Sequence, residues 1–143
     1  MNIHESAEDY LEAIYMQTLE KGFVRSIDIA NTLGYSKPSV SVAMKQLEEN
    51  GYIRRDEDRL LYLEDKGLAI AKRIYERHET IAAILMSLGV GRDTAYRDAC
   101  KMEHDISDES FDRIQDYIAV HGQPVPADPD AHRRALAAGA EHQ

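Results

Sequence analysis

The 143-residue chain is 43% hydrophobic and 30% charged, with a formal net charge of −9. That is the profile of an ordinary globular protein, one compact unit or two small ones, and it excludes fibrous and disordered classes. No apolar run approaches bilayer-spanning length, the opening Met1-Asn2-Ile3-His4-Glu5-Ser6 lacks the basic and apolar regions of a signal peptide, and a single cysteine excludes an internal disulfide. The expected location is a reducing cytoplasm, with no membrane partner.

The charge is unevenly spread. Residues 1–20 carry five acids and no Lys or Arg, residues 21–73 carry ten Lys and Arg against eight acids, and residues 74–143 carry seven against thirteen. A modest basic segment thus lies between two acidic ones, and phosphate contacts are to be sought there despite the overall sign.

From about Ser6 to Leu19, Tyr10, Leu11, Ile14, Tyr15 and Leu19 recur at helical spacing. Asp9 and Glu12 share an edge of this helix, where acids most commonly just complement the helix dipole. Gly22 ends it. Ser26 is the expected N-cap of a short second helix ending near Leu33-Gly34, and Ser36 that of a third, with Pro38 tolerated in its first turn. The third helix runs to Asn50-Gly51. Its inward stripe is Val40, Ala43, Met44 and Leu47, and its outward face offers Lys37, Ser39, Ser41, Val42, Lys45 and Gln46.

Helix, tight glycine-containing turn and helix with small polar and basic outward residues is the helix-turn-helix pattern. Two β-prone runs, Tyr52–Arg55 and Leu60–Leu63, follow around the charged turn Asp56-Glu57-Asp58-Arg59. A hairpin placed directly after a recognition helix is the wing of a winged helix. Arg54, Arg55 and Arg59 suit phosphate or minor-groove contact, although the three acids of the turn would weaken a basic patch. Lys37, Pro38, Ser39, Ser41 and Val42 are positioned to face bases, Pro38 and Val42 toward thymine methyls, and Lys45 joins the three arginines as a phosphate contact.

Glu64 to Leu88 reads as one long helix carrying His78, stopped at Gly89-Val90-Gly91. Arg92 to Ile106 is the next helix, and Ser107 caps a last one through Phe111, Ile114 and Ile118. From His121 onward, Pro124, Pro126, Pro129 and an Ala-rich end predict a loop and a weak or mobile tail over 121–143. His121, His132 and His142 have no partners at ligand spacing and receive no role.

The densest chemistry is Cys100-Lys101-Met102-Glu103-His104. Positions i, i+3 and i+4 share one helical face, so a thiol, a carboxylate and an imidazole stand side by side. All three are ligand types for a divalent transition metal. Three such residues equally suit a small buried Cys beside a solvated Glu-His pair. Asp9, Glu12 and His78 supply matching donors elsewhere, and a shared cation would relieve the repulsion among three crowded carboxylates.

Up to about Val120 the chain resembles the DtxR/MntR family of metal-dependent repressors. The resemblance rests on Glu8-Asp9-Tyr10-Leu11-Glu12-Ala13-Ile14-Tyr15, Asp28-Ile29-Ala30, Ser36-Lys37-Pro38-Ser39-Val40-Ser41, Arg77-His78-Glu79 and Ala99-Cys100-Lys101-Met102-Glu103-His104-Asp105-Ile106-Ser107. It implies a mainly α protein: a winged helix-turn-helix of three helices and a two-stranded wing over 1–73, an all-helical metal-binding and dimerisation domain over 74–120, and a tail over 121–143. It also implies a homodimer on a palindromic operator that represses metal-uptake genes when metal is plentiful.

Residue by residue, Asp9, Glu12, His78, Glu103 and His104 match the manganese branch's ligands. Cys100 matches the iron branch, where the best-known manganese regulator has glutamate. The iron branch's ancillary site needs a glutamate where this chain has Ala82 and a histidine where it has Tyr96, so that site is expected to be absent or weak, and the chain stops too early for that branch's third, SH3-like domain. The expected activator is Mn(II), with Fe(II) as rival and Zn(II), Co(II) or Cd(II) binding in vitro. A winged-helix regulator using Cys100 as a redox switch is a second reading. An enzyme built on a Cys100/His104 pair or a hydrolytic metal centre is a third, against which stand the absence of a Gly-rich phosphate loop and little room for a small-molecule substrate.

Overall fold

The structure, a computed structural model, describes residues 5–122 and 128–140. The sequence readings that involve Met1–His4, Pro124, Pro126 and His142 lie outside these residues. The chain divides into two units, one running to Ile74 and the other spanning Tyr75–Gly139.

The first unit contains α1 (Glu5–Lys21), α2 (Ser26–Leu33), α3 (Lys37–Glu49), β1 (Ile53–Arg55) and β2 (Leu61–Leu63). The apolar periodicity of α1 buries Leu11 and Ile14 completely, and the stripes of α2 and α3 bury Ile29, Leu33, Val40 and Met44. Each such side chain contributes about 1.5–3 kcal/mol by leaving water. Gln17, buried on α1, donates from Nε2 to the Asp28 carbonyl at 3.2 Å and to the Thr32 hydroxyl, which fastens α1 to α2.

Between α2 and α3, Gly34 sits at φ 77, and Ser36 caps α3 by accepting from the Ser39 N–H at 3.3 Å. The cap of α2 differs from expectation. Arg25, not Ser26, occupies the N-cap, and its N–H donates to Asp28 Oδ2 at 2.9 Å, the N3-to-cap half of a capping box.

The wing is an antiparallel pair with Ile53 opposite Leu63, Arg54 opposite Tyr62 and Arg55 opposite Leu61. Its turn is organised by Asp56: Oδ1 accepts from the Asp58 and Leu60 N–H groups, each at 2.9 Å, and Oδ2 accepts from the Tyr62 hydroxyl at 3.0 Å. The Leu60 N–H first, then the Tyr62 and Asp58 donors, hold this carboxyl below the ordinary carboxylate range. A folded pKa below the unfolded one gives stability that is full above the unfolded value of about 3.9 and is lost as pH falls through the folded value. Protection of the Asp58 and Leu60 amides against exchange, relative to the intrinsic rate at each pH, is therefore expected to fall below about pH 4, and Asp56→Asn to remove that dependence. Equal pH profiles for the two proteins would refute this account of the turn.

α4 (Asp65–Ser87) begins in the first unit and continues into the second, which adds α5 (Arg92–Asp105), α6 (Asp108–His121) and α7 (Pro129–Ala140). Ile81, Ala82, Tyr96, Ala99, Phe111, Ala131 and Ala135 form the second unit's core. Leu68 of α4 and Leu88 just beyond its end, both apolar positions of the helical pattern, are 40% and 75% exposed. Ser107 caps α6 through the Ser110 N–H at 3.1 Å. Among the described residues no helix is long and apolar enough to cross a membrane.

The tail expectation over 121–143 is corrected at residues 129–140. These form α7, and Ala131, His132, Ala135 and Leu136 are buried. Asp128 caps the helix by accepting from the Ala131 N–H at 3.1 Å, and Pro129 takes the first helical position, where its missing N–H costs nothing. The Ala131 N–H and then the Arg92 guanidinium hold the Asp128 carboxyl below its usual range. Proline count suggested a loop, whereas Asp128-Pro129 is a helix-start signal heading an Ala-rich run of high helix propensity.

Candidate metal centre and nucleic-acid surface

Helical period alone puts Cys100, Glu103 and His104 on one face of α5. Cys100 and Glu103 are buried, and the His104 side chain is 7% exposed. One ligand atom from each of the three lies within 4.8 Å of the others. Glu103 Oε1 is 3.3 Å from His104 Nε2, while its other oxygen, Oε2, is 3.9 Å from His78 Nδ1 on α4. The Glu103 carboxylate therefore stands between two imidazoles.

His78 is fully buried, and its ring is oriented by a hydrogen bond of 2.8 Å between Nε2 and the Tyr96 carbonyl. A carbonyl only accepts, so Nε2 donates to it, and Nδ1 is the nitrogen nearer Glu103. In the first unit, Asp9 and Glu12 are buried one helical turn apart on α1. Burial, and then the Asp9 charge, hold the neighbouring Tyr10 phenol above its ordinary value.

This donor chemistry fits a divalent first-row cation. Carboxylates and imidazoles suit Mn(II) and Fe(II), and a thiolate at Cys100 shifts the preference toward softer ions. The hydrogen bond on the far nitrogen of His78 is the outer-shell support that metal-ligating histidines usually have.

His132 of α7, given no role from the sequence, is fully buried with its ring centroid 3.8 Å from that of His78. Its Nδ1 lies 2.6 Å from Glu79 Oε1, and Glu79 Oε2 accepts from the Tyr96 hydroxyl at 2.7 Å. Burial, followed by that bond to Glu79, raises the Tyr96 phenol well above its ordinary value. Ligand spacing within a helix could not find His132, because its partners lie on α4 and α5. The helix-start signal at Asp128 was the available clue.

On α3, Lys37, Pro38, Ser39, Ser41, Val42 and Lys45 are all exposed, with Val42 at 58%. The wing arginines divide. Arg59 is exposed at the turn with φ 64. Arg54 lies 4.2 Å over the Tyr62 ring and 3.4 Å from Glu64. Arg55 is half-buried and bonded to Glu48 at 3.0 Å, so part of its charge is spent within the fold.

Residues 2–61 match the family description "Iron dependent repressor, N-terminal DNA binding domain", and residues 64–126 match "Iron dependent repressor, metal binding and dimerisation domain". The chain belongs to the DtxR/MntR family. It is 34% identical over 137 residues to the HTH-type transcriptional regulator MntR of Lysinibacillus sphaericus, covering 96% of each chain. It is 39% identical over 113 residues to MntR of Bacillus subtilis, covering 79% of this chain and 80% of that one.

Among solved structures, the manganese regulator SloR matches with a TM-score of 0.69 and 28% identity, over 83% of this chain and 55% of that one. The chain thus spans about half of the solved relative's length. As a DtxR/MntR protein it is a metal-dependent, DNA-binding transcriptional regulator and not an enzyme. Its DNA-binding and dimerisation domains imply an operator and a homodimer as partners.

Proposed function

We propose that the chain is a Mn(II)-activated repressor of metal-uptake genes, with Asp9, Glu12, His78, Cys100, Glu103 and His104 as ligands. The observation that carries this reading is the Glu103 carboxylate, buried between the His104 and His78 imidazoles with Cys100 on the same helical face. A bound dication supplies charge neutralisation for carboxylates that otherwise repel. Asp9 and Glu12, carried by the DNA-binding unit, are the donors through which occupancy reaches the recognition helix. Drawing them in would raise the population of dimers whose recognition helices hold the half-site spacing, about 34 Å or a multiple of it.

Support for Mn(II) comes from the three carboxylates and two histidines and from the manganese regulator among the relatives. Cys100 supports Fe(II) as the second reading, while its burial argues against an oxidant-driven switch. A mobility shift on the protein's own promoter with Mn(II), anaerobic Fe(II), Zn(II) or chelator separates these. Retardation with Mn(II) at lower free concentration than Fe(II) is expected. Retardation in chelator equal to that in Mn(II) would end the proposal.

On the DNA side, Lys37, Pro38, Ser39, Ser41 and Val42 face bases, and Lys45, Arg54, Arg55 and Arg59 hold phosphates. Lys45→Ala is expected to weaken operator binding across sequences and to lower the salt slope by about 1. Arg55→Ala is expected to change that slope less, because its guanidinium is shared with Glu48. Fluorescence anisotropy over a salt series measures both, and an unaltered slope for Lys45→Ala would remove α3 from the phosphate contacts.

A further inference from the structure

We propose that His132 is itself a metal ligand, sharing a divalent cation with His78 and so making α7 part of the metal centre. This rests on the metal-sensing reading and adds a donor to it.

Both rings are fully buried, their centroids are 3.8 Å apart, and one ligand nitrogen of each lies within 4.8 Å of the other. Each ring is also held by its far nitrogen. Glu79 Oε1 lies 2.6 Å from Nδ1 of His132, so the nitrogen that would face a cation is Nε2. Nε2 of His78 donates to the Tyr96 carbonyl at 2.8 Å, so the nitrogen that would face a cation is Nδ1. Carboxylate–histidine and carbonyl–histidine pairs of this kind fix the tautomer and raise the basicity of metal-bound imidazoles.

The two supports meet at one residue, since the Tyr96 hydroxyl donates to Glu79 Oε2 at 2.7 Å while its carbonyl holds His78. Tyr75 stacks on the His132 ring at 5.0 Å and 12° and limits its rotation. The backbone of α7 is fixed as well. The Asp128 N–H donates to the Tyr96 hydroxyl at 2.7 Å, and Arg134 pairs with Asp93 at 2.7 Å. A histidine serving only to dock α7 requires the Glu79 bond alone. It does not require a second buried imidazole alongside.

The test separates strut from ligand. In His132→Asn the side-chain amide keeps a donor for Glu79 and loses the Nε2 ligand. With Co(II) as the probe, this variant is expected to bind at least about 10-fold more weakly, with an altered ligand-field spectrum. Hydrogen exchange in α7, slowed by Co(II) in the wild type, is expected to be indifferent to Co(II) in the variant. Wild-type affinity and spectrum in His132→Asn would overturn the proposal.

Should that variant fail to fold, the wild-type protein labelled with 15N-histidine decides. Hyperfine-shifted ring nitrogens from His78, His104 and His132 support the proposal, and shifts from His78 and His104 alone overturn it. His104→Ala is the separate control. If it too retains full Co(II) affinity, the metal-sensing reading falls, whatever His132 does.

Discussion

The Glu103→Gln protein is expected to melt at a higher temperature than the wild type in chelator and to gain far less from Mn(II). Glu103 is 5% exposed, and its side chain is the member of α5 that approaches both His104 and His78. A carboxylate buried this deeply carries a desolvation cost, which its imidazole neighbours at 3.3 and 3.9 Å offset only in part. Burying such a charge opposes folding, and the neutral amide removes the penalty while keeping shape. A gain of about 1 kcal/mol, roughly 4 °C for a chain of this size, is the expected scale in chelator.

With Mn(II) the order reverses. The wild type is stabilised by about 2.7 kcal/mol when free Mn(II) is 100 times its Kd, and an amide, which brings no charge, forfeits most of this. Operator retardation is lost in parallel, as it is for His104→Ala. Scanning calorimetry with and without Mn(II) reads both signs in one experiment. An equal Mn(II) gain in wild type and Glu103→Gln would remove Glu103 from the ligand set.

Gly67→Ala is expected to destabilise the junction between the wing and α4 severely. Gly67 is buried in the first turn of α4, and a Cβ built there would stand 2.1 Å from the Tyr52 carbonyl oxygen and 3.1 Å from its carbon. Both are backbone atoms, so no side chain can swing aside. The same carbonyl accepts the Glu64 N–H at 2.9 Å, just before α4 begins. Alanine ordinarily favours a helix over glycine by about 1 kcal/mol, but forcing backbone apart costs about 1–3 kcal/mol or more.

A net loss of about 2 kcal/mol corresponds to a fall of roughly 10 °C for a unit of this size. Operator affinity should fall with it even at saturating metal, because the wing starts from Tyr52. Gly91→Ala is the control. Its added Cβ meets nothing within 4 Å and its φ of −59 is ordinary, so its effect should stay within about 1 kcal/mol. A Gly67→Ala protein as stable as Gly91→Ala would show that the close approach is not rigid.

Much of this molecule is written in local pattern. Ser36 caps α3, Gly34 takes the left-handed turn, and the charged run 56–59 joins two short strands, because each depends on neighbours within about four residues. Cys100, Glu103 and His104 gather on one face for the same reason. At the start of α2, Ser26 and Asp28 both offer an oxygen, and local pattern does not distinguish them; it is Asp28 that accepts the Arg25 N–H.

Helical period and capping chemistry act over a few residues, so the helix-turn-helix, the wing and the donor face of α5 are legible in the chain alone. Long-range packing is what turns Arg55 to Glu48, seats α7 in a core with Tyr96 and Phe111, and brings His132 to Glu79 across 53 residues of chain. No period or propensity links such partners. They are chosen by which buried polar groups can satisfy one another once the helices have packed.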